Sequence, residues 1–406
     1  MPAALRESGS ALLSSRALIW AAGVYTALIA GPGKLAANSF NHHQLATPFH
    51  STLANLLAAP ATRWDSVWFL GIAHAGYHRA DQTVFFPVYP AAVASAGTVL
   101  GGGSAANLVA GIALSFGCAL GALCVLYKLT ALELGEDTAR SAVWIYAWLP
   151  PALFLSAVYT EALFLLLTVG SFYAGRTGRL WMAGLLGALA AATRNGGVVL
   201  VLPLLILYLY GPRTDRSPDY PAEGVKPRYR LRSDLLWIAA VPLGLLAYLA
   251  YLKLSLGHAL TPFQEESHWH RSFDPLYGVP MGIWLGLKSL VAAVPGIPPA
   301  VAMGDVRKLV ELAFLVLSAW LLWRSWKRLP IAYTCYAAAA LGLAVSAPTA
   351  GEPLRSLPRF TIVIFPLWIA LAEWATQRRR TRAVIAVCAP LVALWSALFV
   401  SWTWAA

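Results

Sequence analysis

The stretch RWDSVWFLGIAHAGYHRADQTVFFPVYP, residues 63–90, places Arg63, Asp65, Asp81 and two histidines directly before a hydrophobic segment. The rest of the chain is mostly apolar. Of its 406 residues, 59% are hydrophobic and 12% are charged, whereas a typical soluble domain has roughly 25% charged residues. Most of the chain is therefore expected to contact lipid rather than water, which predicts a polytopic integral membrane protein.

Apolar runs divide the chain into candidate membrane spans. A transmembrane helix needs about 20 mainly apolar residues, and such runs predict an all-α protein with about eleven transmembrane helices. The first run, residues 17–30, is predicted to be an uncleaved helix rather than a signal peptide. All four cysteines lie inside apolar runs, so no disulfide framework is predicted.

Basic residues indicate which side of the membrane each loop faces. They cluster in short loops between apolar runs, and the positive-inside rule assigns such loops to the cytoplasm. The net charge of +12 then reflects orientation, and no nucleic acid partner is predicted. We predict a multi-pass protein of the plasma membrane with a cytoplasmic N-terminus. The basic residues that set this orientation are Arg6, Arg16, Arg176, Arg179, Arg213, Arg216, Lys226, Arg228, Arg230, Arg232, Arg324, Lys327, Arg328, Arg378, Arg379, Arg380 and Arg382.

This orientation divides a single membrane domain, residues 1–406, into inner and outer segments. Residues 211–234 form a basic cytoplasmic loop, whereas residues 31–84, 257–307 and 347–360 form three outer loops. All eight histidines fall in the first two outer loops. The pattern of the first loop, with Trp and Tyr as anchors, predicts short helices that lie in the membrane interface.

Two regions depart from continuous spanning helices. The orientation requires an odd number of crossings between the first outer loop and the next cytoplasmic loop, yet four apolar runs lie there. Pro150-Pro151 should break the third run, because proline removes a backbone donor.

Farther on, residues 180–194 and 197–211 form two short runs, each reaching only about 22 Å. Arg194 should therefore lie slightly below the outer surface, where an arginine is by default a functional candidate.

Five polar groups indicate a shared site at the outer face. Each has an ordinary alternative: Asp65 could pair with Arg63 or cap a helix, Glu161 could be a helix-dipole charge, and the arginines could snorkel to lipid headgroups. The histidines lack metal-site spacing and could be ordinary interfacial residues. Clustering favours one pocket. The five groups are Arg63-Trp64-Asp65; Tyr159 with Glu161; Arg194-Asn195; Gln264, Trp269 and Arg271; and Arg355 with Arg359.

These residue types suit transfer of a group from a lipid phosphate to a hydroxyl. A carboxylate beside an arginine stays ionised and can act as a general base. Arginines bind a phosphate with two parallel hydrogen bonds, and Tyr and Trp offer flat faces to a sugar ring or an isoprene unit. A soluble nucleotide donor is not expected, because the sequence has neither a Walker loop nor a GxGxxG motif on a βαβ unit.

At these residues the sequence resembles a known family. RWDSVWFLGIAHAGY followed by FFPVYP is similar to the first outer-loop signature of the PIG-V mannosyltransferase family and its bacterial relatives. YTEALF, TRNGG, FQEESHWHR and RFTIVIFPLW resemble the later motifs, in the family's order, and the Ala-, Gly- and Arg-rich composition is typical of the bacterial type. The resemblance implies a GT-C membrane glycosyltransferase that uses a polyprenyl-phosphate sugar, normally mannose.

The resemblance also implies roles for individual residues. Asp65 matches the catalytic base and Trp64 its aromatic neighbour. Substrate or phosphate binding is implied for Glu161, Arg194, Gln264, Trp269 and Arg359. The further substrate-binding candidates are Arg63, His74, Tyr77, Tyr159, Asn195, Arg271 and Arg355.

The prediction is an inverting transfer of mannose to a hydroxyl of a lipid-linked or glycan acceptor on the extracytoplasmic face. Asp65 removes the acceptor proton, and Arg359 or Arg194 stabilises the departing polyprenyl phosphate. The predicted partners are membrane lipids, the polyprenyl-phosphate sugar and the glycolipid or glycan acceptor. No cofactor is predicted besides the lipid-linked donor, and a divalent metal is compatible with the histidine-rich loops but is not implied.

Three alternatives stay open. A transporter or flippase of a glycosylated or anionic lipid explains the arginines and broken helices, although the halves show no clear repeat. An O-acyltransferase needs an essential histidine in an apolar run, whereas every histidine here lies outside the runs. A non-catalytic scaffold does not require Asp65 near Arg194, and a separation above about 20 Å would favour it.

Overall fold

The structure is a computed structural model that describes residues 2–30, 40–41, 44–221, 226–292 and 299–403. His42, His43 and parts of the predicted loops lie outside these residues. The described residues form helices and turns without a β-strand, apart from two isolated bridges. The all-α prediction is confirmed for this part of the chain.

The helices follow the apolar runs in chain order. They are α1 (Ala3–Ala30), α2 (Thr52–Ala58), α3 (Asp65–Ala75), α4 (Val88–Val99), α5 (Gly103–Leu134), α6 (Glu136–Trp148), α7 (Glu161–Arg176), α8 (Leu180–Ala191), α9 (Val201–Tyr210), α10 (Val241–Leu256), α11 (Thr261–Gln264), α12 (Gly278–Ala292), α13 (Pro299–Arg328), α14 (Ile331–Val345), α15 (Leu357–Thr361), α16 (Phe365–Gln377) and α17 (Thr381–Val400). The predicted short helices of the first outer loop are present as α2 and α3, and their place in the membrane interface stays a prediction.

Four helices in the described part of the chain are long and apolar enough to cross a membrane. They are Ala3–Ile29, Gly103–Leu134, Ser233–Leu256 and Thr381–Val400. Several shorter apolar helices accompany them, α4, α8 and α14 among others. The chain is therefore a multi-pass membrane protein, and the count of about eleven spans stays a prediction.

The first helix begins earlier than predicted, at Ala3 rather than near residue 17, so Arg6 and Arg16 lie within α1 and not in a loop. Arg16 is buried, and its Nη2 donates to the Ala147 carbonyl at 3.0 Å. That carbonyl lies in the last turn of α6. In a continuing helix it would accept from the backbone N–H of the residue four positions later, but that residue is Pro151, which has no N–H. The interior guanidinium of Arg16 supplies a donor to this carbonyl, and its role in setting the orientation stays a prediction.

The predicted break at Pro150-Pro151 is confirmed and positions the site. α6 ends at Trp148, and a buried 3-10 segment, Pro150–Leu155, leads toward α7. After α7 the chain turns at Gly178, and α8 runs antiparallel to α7. Gly178 has a positive φ of 76°, a conformation that glycine adopts without steric strain. The two short predicted runs correspond to α8 and α9. The end of α8 returns to the level of the first residue of α7, which brings Arg194 beside Glu161.

The contact between α8 and α10 yields a stability prediction. A Cβ on Gly244 would overlap the backbone carbonyl of Ala188, whereas a Cβ on Gly342 in α14 would meet no atom within 4 Å. Gly244→Ala should therefore lower the free energy of unfolding by about 1–3 kcal/mol. Gly342→Ala should be neutral or stabilising by up to about 1 kcal/mol. Thermal unfolding in detergent measures both, and equal shifts for the two variants would contradict this packing.

Candidate active site

Arg359 joins two acidic residues that are far apart in sequence. It lies in α15, and its Nη1 donates to Asp65 Oδ2 at 2.6 Å. Its Nε lies 3.3 Å from Glu161 Oε1. One guanidinium therefore holds the first residue of α3 and the first residue of α7 together.

Arg194 completes the cluster from the turn after α8. Its Nη1 donates to the same Glu161 Oε1 at 3.0 Å, so one carboxylate oxygen serves two arginines. Glu161 is 1% exposed, whereas the side chains of Asp65 and Arg359 are 18% and 13% exposed. The cluster thus has a buried anchor and a face that a substrate can reach. Asp65 and Arg194 belong to one network, which disfavours the scaffold alternative.

The backbone around Asp65 is fixed by Tyr159. The Asp65 N–H donates to the Tyr159 hydroxyl at 3.1 Å, and that hydroxyl donates to the Arg63 carbonyl at 3.1 Å. Trp64 has φ 57° and ψ −121°, a sparsely populated conformation for a residue with a Cβ. Such strain persists only where the surrounding structure holds it, and it concentrates at functional sites. Ser356, just before α15, also has a positive φ of 69°.

Arg63 does not form a local ion pair with Asp65, in contrast to the alternative that the sequence left open. Its Nε donates to the Val400 carbonyl at 3.1 Å and its Nη1 to the Thr62 carbonyl at 2.8 Å. Its guanidinium also lies 5.1 Å from the centre of the Trp402 ring. In the part of the chain that the structure describes, Arg63 therefore ties the first outer loop to the C-terminal end of α17.

Phe360 gathers three guanidinium groups, and the sequence reasoning missed it. Arg194, Arg271 and Arg359 lie 5.6, 5.0 and 5.4 Å from its ring centre. Such distances permit cation–π attraction. The only sequence signal for Phe360 was its place directly after Arg359, since an aromatic residue in an apolar stretch is unremarkable.

Arg271 brings the segment of residues 257–307 into contact with the cluster. Its Nη2 donates to the Arg355 carbonyl at 3.3 Å. Burial, aided by repulsion from Arg359, lowers the pKa of Arg271 to about 10, so this side chain is still a cation at neutral pH. The three arginines around Phe360 face two carboxylates, Asp65 and Glu161. One positive charge is therefore in excess.

Two predicted tryptophans lie in groups of packed aromatic rings. Trp64 packs against Phe40 and Trp402 with ring centres 4.9 and 5.7 Å apart. Trp269 packs edge-on against Trp68 at 5.2 Å, and its buried Nε1 has no hydrogen-bond partner among the described residues. Trp269 therefore keeps a donor for a ligand.

Five other predicted site residues contribute no side chain to the ion pairs of the cluster. His74 and Gln264 are exposed, and the Tyr77 hydroxyl donates to the Phe85 carbonyl at 2.5 Å. Asn195 Oδ1 accepts from the Gly196 N–H at 2.8 Å, within its own turn. Arg355 Nε lies 3.9 Å from Glu352 Oε2. The ion-pair cluster therefore contains fewer residues than the predicted site, and binding by these five residues stays a prediction.

The described residues include no group of three or more His, Cys, Asp or Glu side chains placed to hold a metal ion. The two carboxylates nearest the centre of the site, Asp65 and Glu161, are both engaged by arginines. The arrangement can hold an anion and accept a proton.

The fold and site together define a multi-pass helical membrane protein with a half-buried carboxylate–arginine cluster at one end of its helices. Residues 15–209 match the model of the family described as Mannosyltransferase (PIG-V). Over these residues the chain is similar to the PIG-V mannosyltransferase family, which confirms the predicted resemblance. The motifs around Gln264 and Arg359 lie beyond the matched residues, and their family roles stay predictions, as does the bacterial type.

Curated relatives and solved structures are similar to this chain as follows. The GPI alpha-1,6-mannosyltransferase 2 of Cricetulus griseus is 32% identical over 205 residues, which cover 48% of this chain and 41% of the relative. The GPI mannosyltransferase 2 of Cryptococcus neoformans is 31% identical over 216 residues, 48% of each chain. The chain thus matches less than half the length of these relatives. An oligosaccharyltransferase of Archaeoglobus fulgidus aligns over 95% of this chain and 52% of its own, with a TM-score of 0.41 and 15% identity.

Proposed function

We propose that this protein is an inverting mannosyltransferase of the GT-C type. It moves mannose from polyprenyl-phosphate mannose to a hydroxyl of a lipid-linked or glycan acceptor and forms an α-mannoside. The family match over residues 15–209 supports the sugar. The observation that carries the proposal is the cluster in which Arg359 bridges Asp65 and Glu161 beside Arg194.

The charge balance of the cluster suits a phosphate group. Arg194, Arg271 and Arg359 surround Phe360 and exceed the two nearby carboxylates by one positive charge. Glu266 attracts Arg271 and Arg355 repels it, so these next neighbours leave the excess unchanged. Fixed guanidinium groups in a half-buried site stabilise negative charge strongly. The polyprenyl phosphate that leaves would meet this excess.

Asp65 would act as the base. The ion pair with Arg359 engages Oδ2, and Oδ1 would accept the proton of the acceptor hydroxyl. The acceptor oxygen then forms a bond to the anomeric carbon as the bond from that carbon to the phosphate oxygen breaks. A β-linked donor would yield an α-mannoside, and the polyprenyl phosphate would carry away the electron pair.

The two ends of α7 support an extracytoplasmic site. Glu161 is the first residue of α7 and Arg176 is the last, about 22 Å apart along the axis. The Arg176 carbonyl accepts from the Thr214 N–H at 3.1 Å, and Thr214 belongs to the basic loop of residues 211–234. The positive-inside rule would place that loop in the cytoplasm, which leaves the cluster toward the opposite face.

Reconstitution tests the proposal directly. The protein in liposomes would receive polyprenyl-phosphate mannose and candidate lipid or glycan acceptors, and the product would be analysed for mass and anomeric configuration. We expect an α-mannoside and free polyprenyl phosphate in equal amounts. A β-mannoside would contradict inversion, and lipid exchange across the bilayer without any product would favour the transporter alternative.

A further inference from the structure

A second polar cluster lies in the basic loop, at the end of α7 remote from Glu161. Arg213 and Arg216 lie 5.3 and 5.6 Å from the ring centre of Tyr208, and 5.7 and 5.3 Å from that of Tyr229. Tyr208 and Tyr229 are 1% and 3% exposed. Two arginines therefore share two buried aromatic rings, an arrangement that the proposed transfer reaction does not use.

The cluster is built into the fold. Arg213 is itself more than nine-tenths buried, and it donates from Nε and Nη2 to the two carboxylate oxygens of Asp215 at 2.9 and 2.7 Å. Asp215 in turn packs against Gly178, where any Cβ would overlap its side chain. The neighbouring Thr214 is hydrogen-bonded to the end of α7. The loop thus holds Arg213 in one position against the helices.

Several donors in this cluster are left over. Arg213 Nη1, Arg216 Nε and Nη2, and Arg228 Nε are buried and have no hydrogen-bond partner among the described residues. Buried polar groups in folded proteins are almost always paired, so several unpaired cationic donors within one loop require an explanation. Asp219 and Asp234 also lie near this cluster, at Arg216 and at Tyr208 respectively. In the described part of the basic loop, five arginines and one lysine still outnumber the three aspartates, Asp215, Asp219 and Asp234. An anion with several acceptor oxygens would supply partners for these donors.

We propose that Arg213, Arg216 and Arg228 form a binding site for a phosphate group, separate from the mannosyl-transfer site. Guanidinium groups match phosphate geometry, and several can donate to one phosphate. The cluster follows the apolar helix α9 and precedes the candidate span Ser233–Leu256, which places it at headgroup level. Basic pockets between helices at the cytoplasmic face bind anionic lipid headgroups. The phosphate can belong to such a lipid or to a soluble phosphate compound.

Native mass spectrometry of the full chain in detergent tests the proposal. The probes are phosphatidylglycerol, inorganic phosphate as competitor, and phosphatidylcholine as a zwitterionic lipid. Arg216→Gln removes unpaired donors, and Arg228→Gln is a second variant should the first fail to fold. Arg230→Gln is the matched control, because Arg230 is exposed in the same loop and donates to Tyr220.

We expect wild type and Arg230→Gln to retain phosphatidylglycerol in preference to phosphatidylcholine, and Arg216→Gln or Arg228→Gln to bind it about tenfold more weakly or worse. Retention of phosphatidylglycerol in the presence of excess inorganic phosphate assigns a lipid headgroup, whereas binding of inorganic phosphate without retention of phosphatidylglycerol assigns a soluble phosphate compound. Equal retention by wild type and both cluster variants, or no binding of either phosphate probe, overturns the site. Neither result depends on mannosyl transfer, so the two proposals fail independently.

Discussion

Asp65→Asn is expected to lower the turnover number for mannosyl transfer by about 10²–10⁴-fold, the range typical of a lost general base. The substitution is nearly isosteric, so the start of α3 and the hydrogen bond from the Asp65 N–H to Tyr159 should persist. Removing a negative charge beside Arg359 should not weaken binding of an anionic donor. The fall should therefore appear in kcat and not as a higher KM for polyprenyl-phosphate mannose, measured by steady-state kinetics in liposomes.

Asp81→Asn is the matched control for this substitution. Asp81 lies in the same outer loop and pairs with an arginine in a similar way, its Oδ2 lying 2.5 Å from Arg79 Nη2. It is not part of the Arg359 cluster, and its removal should leave turnover unchanged. Wild-type turnover in Asp65→Asn, with folding intact, would remove Asp65 from its role as base.

Arg359→Lys is expected to lower kcat by about 10²–10³-fold, as when one fixed donor to a developing negative charge is lost. Lysine keeps the charge but presents it at a single nitrogen, whereas Arg359 reaches Asp65 through Nη1 and Glu161 through Nε. One ammonium group cannot hold both carboxylates and also meet a leaving phosphate. Rates at saturating donor, with thermal unfolding as a check on folding, would measure the effect.

Arg324→Lys is the control for Arg359→Lys. Arg324 has a similar side-chain exposure, 14% against 13%, and its Nη2 lies 2.5 Å from Glu373 Oε2. Its partner belongs to α16 and not to the Asp65 cluster. A comparable loss of kcat in both variants would mean that any buried arginine pair affects activity through stability, and the specific role of Arg359 would then be abandoned.

Local features of the fold were accessible from sequence because they depend on neighbouring residues. Proline cannot donate a hydrogen bond, so the break after Trp148 could be read from Pro150-Pro151. The short helices on either side of Arg194 followed from the length of the apolar runs. The start of α1 was not accessible in this way, because Arg16 looked like a loop charge until its partner, the Ala147 carbonyl, was known.

The sequence indicated which residues belong to the candidate site, but not which of them contact one another. Glu161 and Arg194 were singled out separately, and the antiparallel return of α8 along α7 joins them. His74 and Gln264, in equally polar stretches, stand outside the cluster. Phe360 was missed because its role depends on three arginines that approach it from different segments.

The sequence by itself determined that this is a helical membrane protein, similar over residues 15–209 to PIG-V mannosyltransferases. It also determined where a helix breaks and which residues carry the polar chemistry. Only the tertiary structure decided that Asp65 pairs with Arg359, 294 positions away, and not with Arg63 two positions away. The physical reason is that an ion pair depends on distance in space and on the other partners each group finds. Arg63 already donates hydrogen bonds to the Val400 and Thr62 carbonyls. Arg359, in the short helix that follows the turn at Ser356, lies within ion-pair distance of both Asp65 and Glu161.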